Sequence, residues 1–164
     1  MRTMVSLRLF AASLVAIPLV AVADGHSRST FIGVFYPAIT AVAVDPTRCP
    51  DASHPLLLTF SGDAFTTLGH ATFMQSHCQD FAQTSFRRGE KIVTFANGDQ
   101  LFGVYHGDLL PTPTTGSDGK VVIDAVYRNV GGTGAMSTMH GTGTSAGLVD
   151  AATGSAVVTE SGTL

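Results

Sequence analysis

Residues able to do acid–base work are few in this chain, and they are scattered. The set with the most chemical potential is Asp63, Tyr105, Asp124, Tyr127 and Arg128. A carboxylate and a phenol in an apolar pocket can orient a reactive substrate or move one proton, and such a site works mainly by shape. Strand parity puts Asp124 on one face with Val122 and Val126, where a buried carboxylate would need a partner or a proton. The opposite assignment lines the core with Ile123, Ala125 and Tyr127 and turns Asp124 to solvent. The pocket candidates are Asp63, Tyr105, Asp124 and Tyr127, and no catalytic residue is singled out among them.

Other chemistries lack their motifs. Gly131-Gly132-Thr133-Gly134, followed by Gly141 and Gly143, has no Lys-Ser/Thr after it and no βαβ setting, so it reads as turns and bulges, not a phosphate loop. The six histidines (His26, His54, His70, His77, His106 and His140) form neither His-x-His nor His-Glu-x-x-His. They read as solvated or rim side chains, although His70, His106 and Asp108 lie on strands. No G-x-S-x-G elbow is present, and the only glutamates, Glu90 and Glu160, sit near strand ends, which leaves no readable glycosidase pair. The sequence therefore predicts no cofactor and no metal.

The start of the chain sets its compartment. Arg2 and Arg8 flank a basic beginning, Leu9 to Val20 is an uncharged apolar run, and Ala21-Val22-Ala23 is a small-x-small cleavage site. The run is shorter than the roughly 20 residues a membrane helix needs. Residues 1–23 read as a signal peptide, 24–30 as a flexible lead-in and 31–164 as one domain, secreted or periplasmic, with no membrane span after cleavage. Removing the leader leaves seven basic against twelve acidic residues, a net charge of about −5. A nucleic-acid binder needs a basic face, so that class is excluded.

Cys49 and Cys78 are an even pair in an oxidising compartment and read most simply as one disulfide. A redox pair and metal thiolates are the alternatives, but there is no Cys-x-x-Cys. Closing a loop of about 30 residues would contribute roughly 3.6 kcal/mol by chain-entropy arithmetic.

The elements that must position these groups are strands. Phe31–Val44 is apolar and β-branched, with Pro37 as a possible break. Asp45–Pro55 holds three prolines and reads as a loop. Leu56–Phe65, His70–Cys78, Lys91–Ala96, Gln100–Leu110, Lys120–Val130, His140–Asp150 and Ser155–Leu164 follow as short strands between turn signals. Asn97-Gly98 predicts a type I′ hairpin, and Ala151–Gly154 predicts a type I turn closed by a left-handed glycine. Phe60, Phe73, Phe95, Phe102 and Tyr105 read as packing. Seven or eight consecutive strands with short links predict an all-β, antiparallel up-and-down barrel, which removes exposed edges; a sandwich is the alternative.

Three segments, FANGDQLFGVYHG (95–107), NVGGTGAMSTMHGTGT (129–144) and GLVDAATGSAVV (147–158), resemble small secreted bacterial proteins of uncharacterised function. That group is similar to the allene oxide cyclase-like (dirigent-like) barrels. The resemblance covers about two-thirds of the exported part and implies eight strands. Where the related pattern follows GGTG with Arg-Phe, this chain has Ala135-Met136, so a role for that Arg at a barrel end is not carried over. No catalytic residue of the plant proteins is transferred.

The expected function is binding of a small apolar ligand or a protein partner within or upon an exported barrel with a mostly apolar interior. The alternative is an isomerase or cyclase with a pocket at the barrel mouth. A homo-oligomer fits either reading, because related barrels assemble. An outer-membrane barrel is a third reading, opposed by the lack of aromatic girdles.

Overall fold

The computed structural model describes residues 29–111, 120–150 and 152–164; the leader and most of the lead-in lie outside the described residues. Alternation with period two yields eight strands. They are β1 (Thr30–Val44), β2 (Leu56–Thr66), β3 (Gly69–Gln79), β4 (Ser85–Phe95), β5 (Gln100–Pro111), β6 (Lys120–Gly132), β7 (His140–Asp150) and β8 (Ser155–Thr163). Each pairs antiparallel with the next, and β8 pairs with β1 to close the barrel. The sandwich alternative is excluded by that closure.

Pro37 does not break β1. It pairs across from Gly62 on β2, and the ladder to β8 simply skips from Phe35 to Ala38. The irregularity falls instead at Thr40, where the β1–β2 register shifts. β4 starts at Ser85, six residues before the expected Lys91, and contains a bulge between Phe86 and Gly89 that places Arg88 at φ 55°.

One end of the barrel is plugged. Phe31, Ala64, Ala71, Phe95 and Leu101 converge there, and Met136 from a short 3-10 turn (Gly134–Met136) lies over them. Each large side chain buried this way contributes about 2 kcal/mol. The turn is held by the β4–β5 hairpin. Asp99 Oδ2 accepts the Ala135 N–H at 3.1 Å, and Thr133 exchanges bonds with the Gln100 backbone at 2.8 and 2.9 Å. Two of the sequence motifs thus meet, the NGD hairpin clasping the GGTGA segment. The hairpin is not the expected type I′. Gly98 alone is left-handed (φ 87°), and its N–H bonds to Phe95 O at 2.9 Å, so Ala96-Asn97 make a type I turn with a bulge glycine.

The Cys49–Cys78 disulfide is formed, with Cα atoms 5.5 Å apart. Cys78 lies on the outer face of β3, so the 45–55 loop folds down over the outside of β3 and β4. Arg48 adds a hydrogen bond to Arg88 O at 2.6 Å and an ion pair with Glu90 at 3.2 Å, while His54 Nε2 meets Ser85 Oγ at 2.9 Å. Among the described residues no helix is long and apolar enough to cross a membrane.

Candidate functional site

The end opposite the plug, where β1 finishes and β2 begins, opens into a cavity of about 250 Å³. Inward positions repeat every second residue along each strand, so its wall follows from the sequence alternation. Ile39, Leu56, Leu58, Leu109, Val121 and Val149 make an apolar neck near the mouth. Phe35, Phe60, Phe86 and Tyr105 form an aromatic belt below it. The floor is polar, built from Gln75, His77, Ser145 and Glu160.

Glu160 is the anchor of that floor. Its Oε2 accepts from Lys91 Nζ at 2.5 Å and its Oε1 from Ser145 Oγ at 3.3 Å. Lys91 comes from β4 and Glu160 from β8, four strands apart in a ring of eight, so the ion pair is a strut across the barrel. The two side chains are only 2% and 8% exposed. The ammonium also lies 4.9 Å from the ring centres of both Phe35 and Tyr127, where a desolvated cation gains about 1–2 kcal/mol per ring. The interior is therefore mostly apolar, with a buried ion pair at mid-height that the sequence reading did not place. Glycines make the room: a Cβ on Gly143 or Gly162 would meet Tyr127 Oη at 2.6 and 2.7 Å, and one on Gly103 would meet Lys91 Cε at 3.2 Å.

A second polar chain borders the floor. His77 Nδ1 lies 3.2 Å from Tyr105 Oη, and His77 Nε2 lies 3.3 Å from Gln79 Oε1. Because Gln79 Oε1 can only accept, Nε2 carries the proton and bare Nδ1 accepts from Tyr105. Burial drives the His77 pKa down to about 4, against a smaller upward pull from Gln79, so the ring is neutral at physiological pH. Burial, reinforced by the Glu160 charge, pushes the Tyr105 and Tyr127 phenols well above the ordinary tyrosine range. Both remain protonated donors. On the plugged side of the strut, Tyr127 Oη and both side-chain polar atoms of Asn129 are buried without a hydrogen-bond partner among the described residues.

The four pocket candidates divide cleanly. Tyr105 lines the cavity and Tyr127 lies just beneath its floor, whereas Asp63 and Asp124 stand on the outer face. Asp63 pairs there with His70 at 3.3 Å, and Asp124 sits opposite Asp108 across β5–β6. Ile123, Ala125 and Tyr127 take the inward parity of β6, which leaves Asp124 and Arg128 in solvent. Phe102 is likewise an outer-face residue, not a packing one, because Leu101 and Gly103 hold the inward positions. His70, His106 and His140 are exposed as expected, but His77 is buried at the floor and corrects the rim assignment. Among the described residues no three His, Cys, Asp or Glu side chains gather as metal ligands.

Sequence reading missed Lys91, Glu160, Ser145, Gln75 and Gln79. A signal for the β3 part existed: Gln75, His77 and Gln79 share the parity of Ala71 and Phe73, so one face of β3 turns from apolar to polar along its length. No known protein family, curated protein or solved structure matches this chain.

Proposed function

We propose that this barrel is an exported carrier that takes a small apolar or amphipathic molecule into its open end. The cavity carries the reading: an apolar neck and an aromatic belt above a few polar groups is the usual make-up of a small-molecule site. Its volume is below that of most drug-sized pockets, so the ligand is small. Export is supported by the leader pattern in residues 1–23 and by the disulfide, which persists in oxidising compartments. The outer face supports a water-exposed barrel, since Asp63, Glu90, Asp124 and Arg128 project from it. The NGD and GGTG segments resemble small secreted bacterial proteins similar to allene oxide cyclase-like barrels, in keeping with an exported eight-stranded barrel.

The test is fluorescence titration with N-phenyl-1-naphthylamine, using protein made without detergent. One site of micromolar affinity is expected, and Ala156→Phe, which fills the cavity from β8, should abolish it while leaving the fold intact. A wild-type protein that never brightens the probe overturns the reading.

A second reading, an isomerase or cyclase, is favoured by one observation: the Glu160 carboxylate and the Tyr105 phenol both border the cavity. It predicts an enantiomeric excess in the ring-closed product of an unsaturated epoxide, lost in Glu160→Gln. A racemic product with wild-type protein rules this out.

A further inference from the structure

The polar floor bears on which molecules the cavity accepts. The strut contributes one positive and one negative charge, so the floor carries no net charge there. The His77 imidazole, the other titratable ring at that depth, is neutral at physiological pH. A ligand with a carboxylate would bring a second anion beside Glu160. One with an ammonium would meet a carboxylate whose charge Lys91 already neutralises from behind the cavity wall. Either would bury an uncompensated charge, the costliest group to desolvate.

The hydrogen-bond polarity narrows the choice further. The Tyr105 proton is committed to His77 Nδ1, so its oxygen offers only lone pairs to the cavity. Glu160 accepts from Lys91 and Ser145 and, as a carboxylate, has further lone pairs. Two acceptors on one floor call for a donor from the ligand. The side-chain amide of Gln75, also at the floor, can serve the ligand's own oxygen.

Size sets the last limit. At about 250 Å³ the cavity is smaller than the usual drug-sized pocket, so its ligand is small.

We infer that the cavity selects a neutral, hydroxyl-headed aliphatic molecule smaller than a typical drug. It enters head first, its O–H donated to Glu160 or Tyr105 and its tail lying in the apolar neck. This inference rests on the carrier reading and specifies its ligand class.

The experiment uses the full exported protein and four probes of matched length, each displacing N-phenyl-1-naphthylamine: 1-octanol, octanoate, octylammonium and heptyl methyl ether. Octanol should displace the dye at about one-tenth the concentration the other three require, since a buried acceptor left unmet costs about that factor. The ether keeps the oxygen and loses the donor, so its deficit measures the donated bond. Tyr105→Phe should weaken octanol several-fold and leave the ether unchanged. Glu160→Gln, where it folds, leaves Lys91 without its counter-charge and should reverse the ranking in favour of octanoate.

Octanoate or octylammonium equal to octanol in the wild-type protein overturns the neutral-head inference, and an ether equal to octanol overturns the donor. Dye binding with no displacement by any of the four overturns the inference while the carrier reading stands. Absence of dye binding overturns both.

Discussion

Glu160→Gln is the sharpest probe of the barrel's interior. The substitution keeps the shape and keeps an oxygen for Ser145, but it leaves the Lys91 ammonium, 2% exposed, without an opposing charge. Removing one partner of a buried pair costs about 3–5 kcal/mol, because the remaining ion cannot recover its hydration. The Phe35 and Tyr127 rings around the ammonium offset part of that, which places the expected loss near the lower limit, about 3 kcal/mol. For a domain of this size, about 4 °C of melting temperature is lost per kcal/mol, giving a drop of about 12 °C. Lys91→Met should cost a similar amount by stranding the carboxylate. The double variant Lys91→Met/Glu160→Gln replaces the strut with groups needing no counter-ion, and it should return to within about 1–2 kcal/mol of wild type. Urea unfolding at pH 7 with linear extrapolation supplies all four corners of the cycle. If the double variant loses as much as the two singles together, the two side chains are not partners and the strut does not exist.

Three further outcomes can be checked on the same preparations. His77 has a folded pKa of about 4 against 6.5 in the unfolded chain, so below pH 6.5 the unfolded state takes up a proton that the native state refuses. Its contribution is fully present above pH 6.5 and is lost as pH falls toward 4, about 3 kcal/mol in all; His77→Gln should flatten that slope, and parallel pH–stability curves for the two proteins would refute it. The double variant Cys49→Ser/Cys78→Ser frees a closed loop spanning 29 positions and should lose about 3–4 kcal/mol in urea, while an unchanged midpoint would show that the loop stays docked through Arg48 and His54 alone. Gly143→Ala drives a methyl to 2.1 Å from Ser161 O and 2.6 Å from Tyr127 Oη; a melting point within 2 °C of wild type would contradict that crowding, whose expected cost is about 1–3 kcal/mol or more.

The barrel was legible in the sequence because most strands alternate over part of their length and most are bounded by glycine or proline signals, while β1 was readable from its apolar, β-branched run. Part of β4 escaped notice for a physical reason. Between Phe86 and Gly89, both inward, two arginines intervene where alternation allows one residue, and the bulge erases the period. The floor of the site was less readable. Lys91 opens its expected strand and Glu160 reads as near a strand end, yet both stand mid-strand in β4 and β8, and 69 positions separate them. Only closure of β8 onto β1 brings their walls face to face, and no local pattern encodes a contact across a barrel. The inward glycines at 103, 143 and 162 are the shadow of that contact in the sequence, since a wall that carries no side chains implies large ones opposite. Tyr105 and Tyr127 could be picked out because aromatic residues at inward parity have few other places to go. Asp63 and Asp124 share their strands with apolar neighbours on both faces, so residue type alone could not choose a side.

Sealing the ring with its final strand makes folding an all-or-nothing event late in the life of the nascent polypeptide. Until residues 155–163 arrive, β1 and β7 both show a bare row of amides to the surroundings, a template for unwanted partners. A chain shortened before Ser155 should therefore clump, not yield a slightly weakened cylinder. The join also sets Leu164 beside Ser29, N–H to carbonyl at 2.9 Å, beneath the plug. Ser29 and Leu164, the first and last described residues, thus both lie on the side away from the mouth.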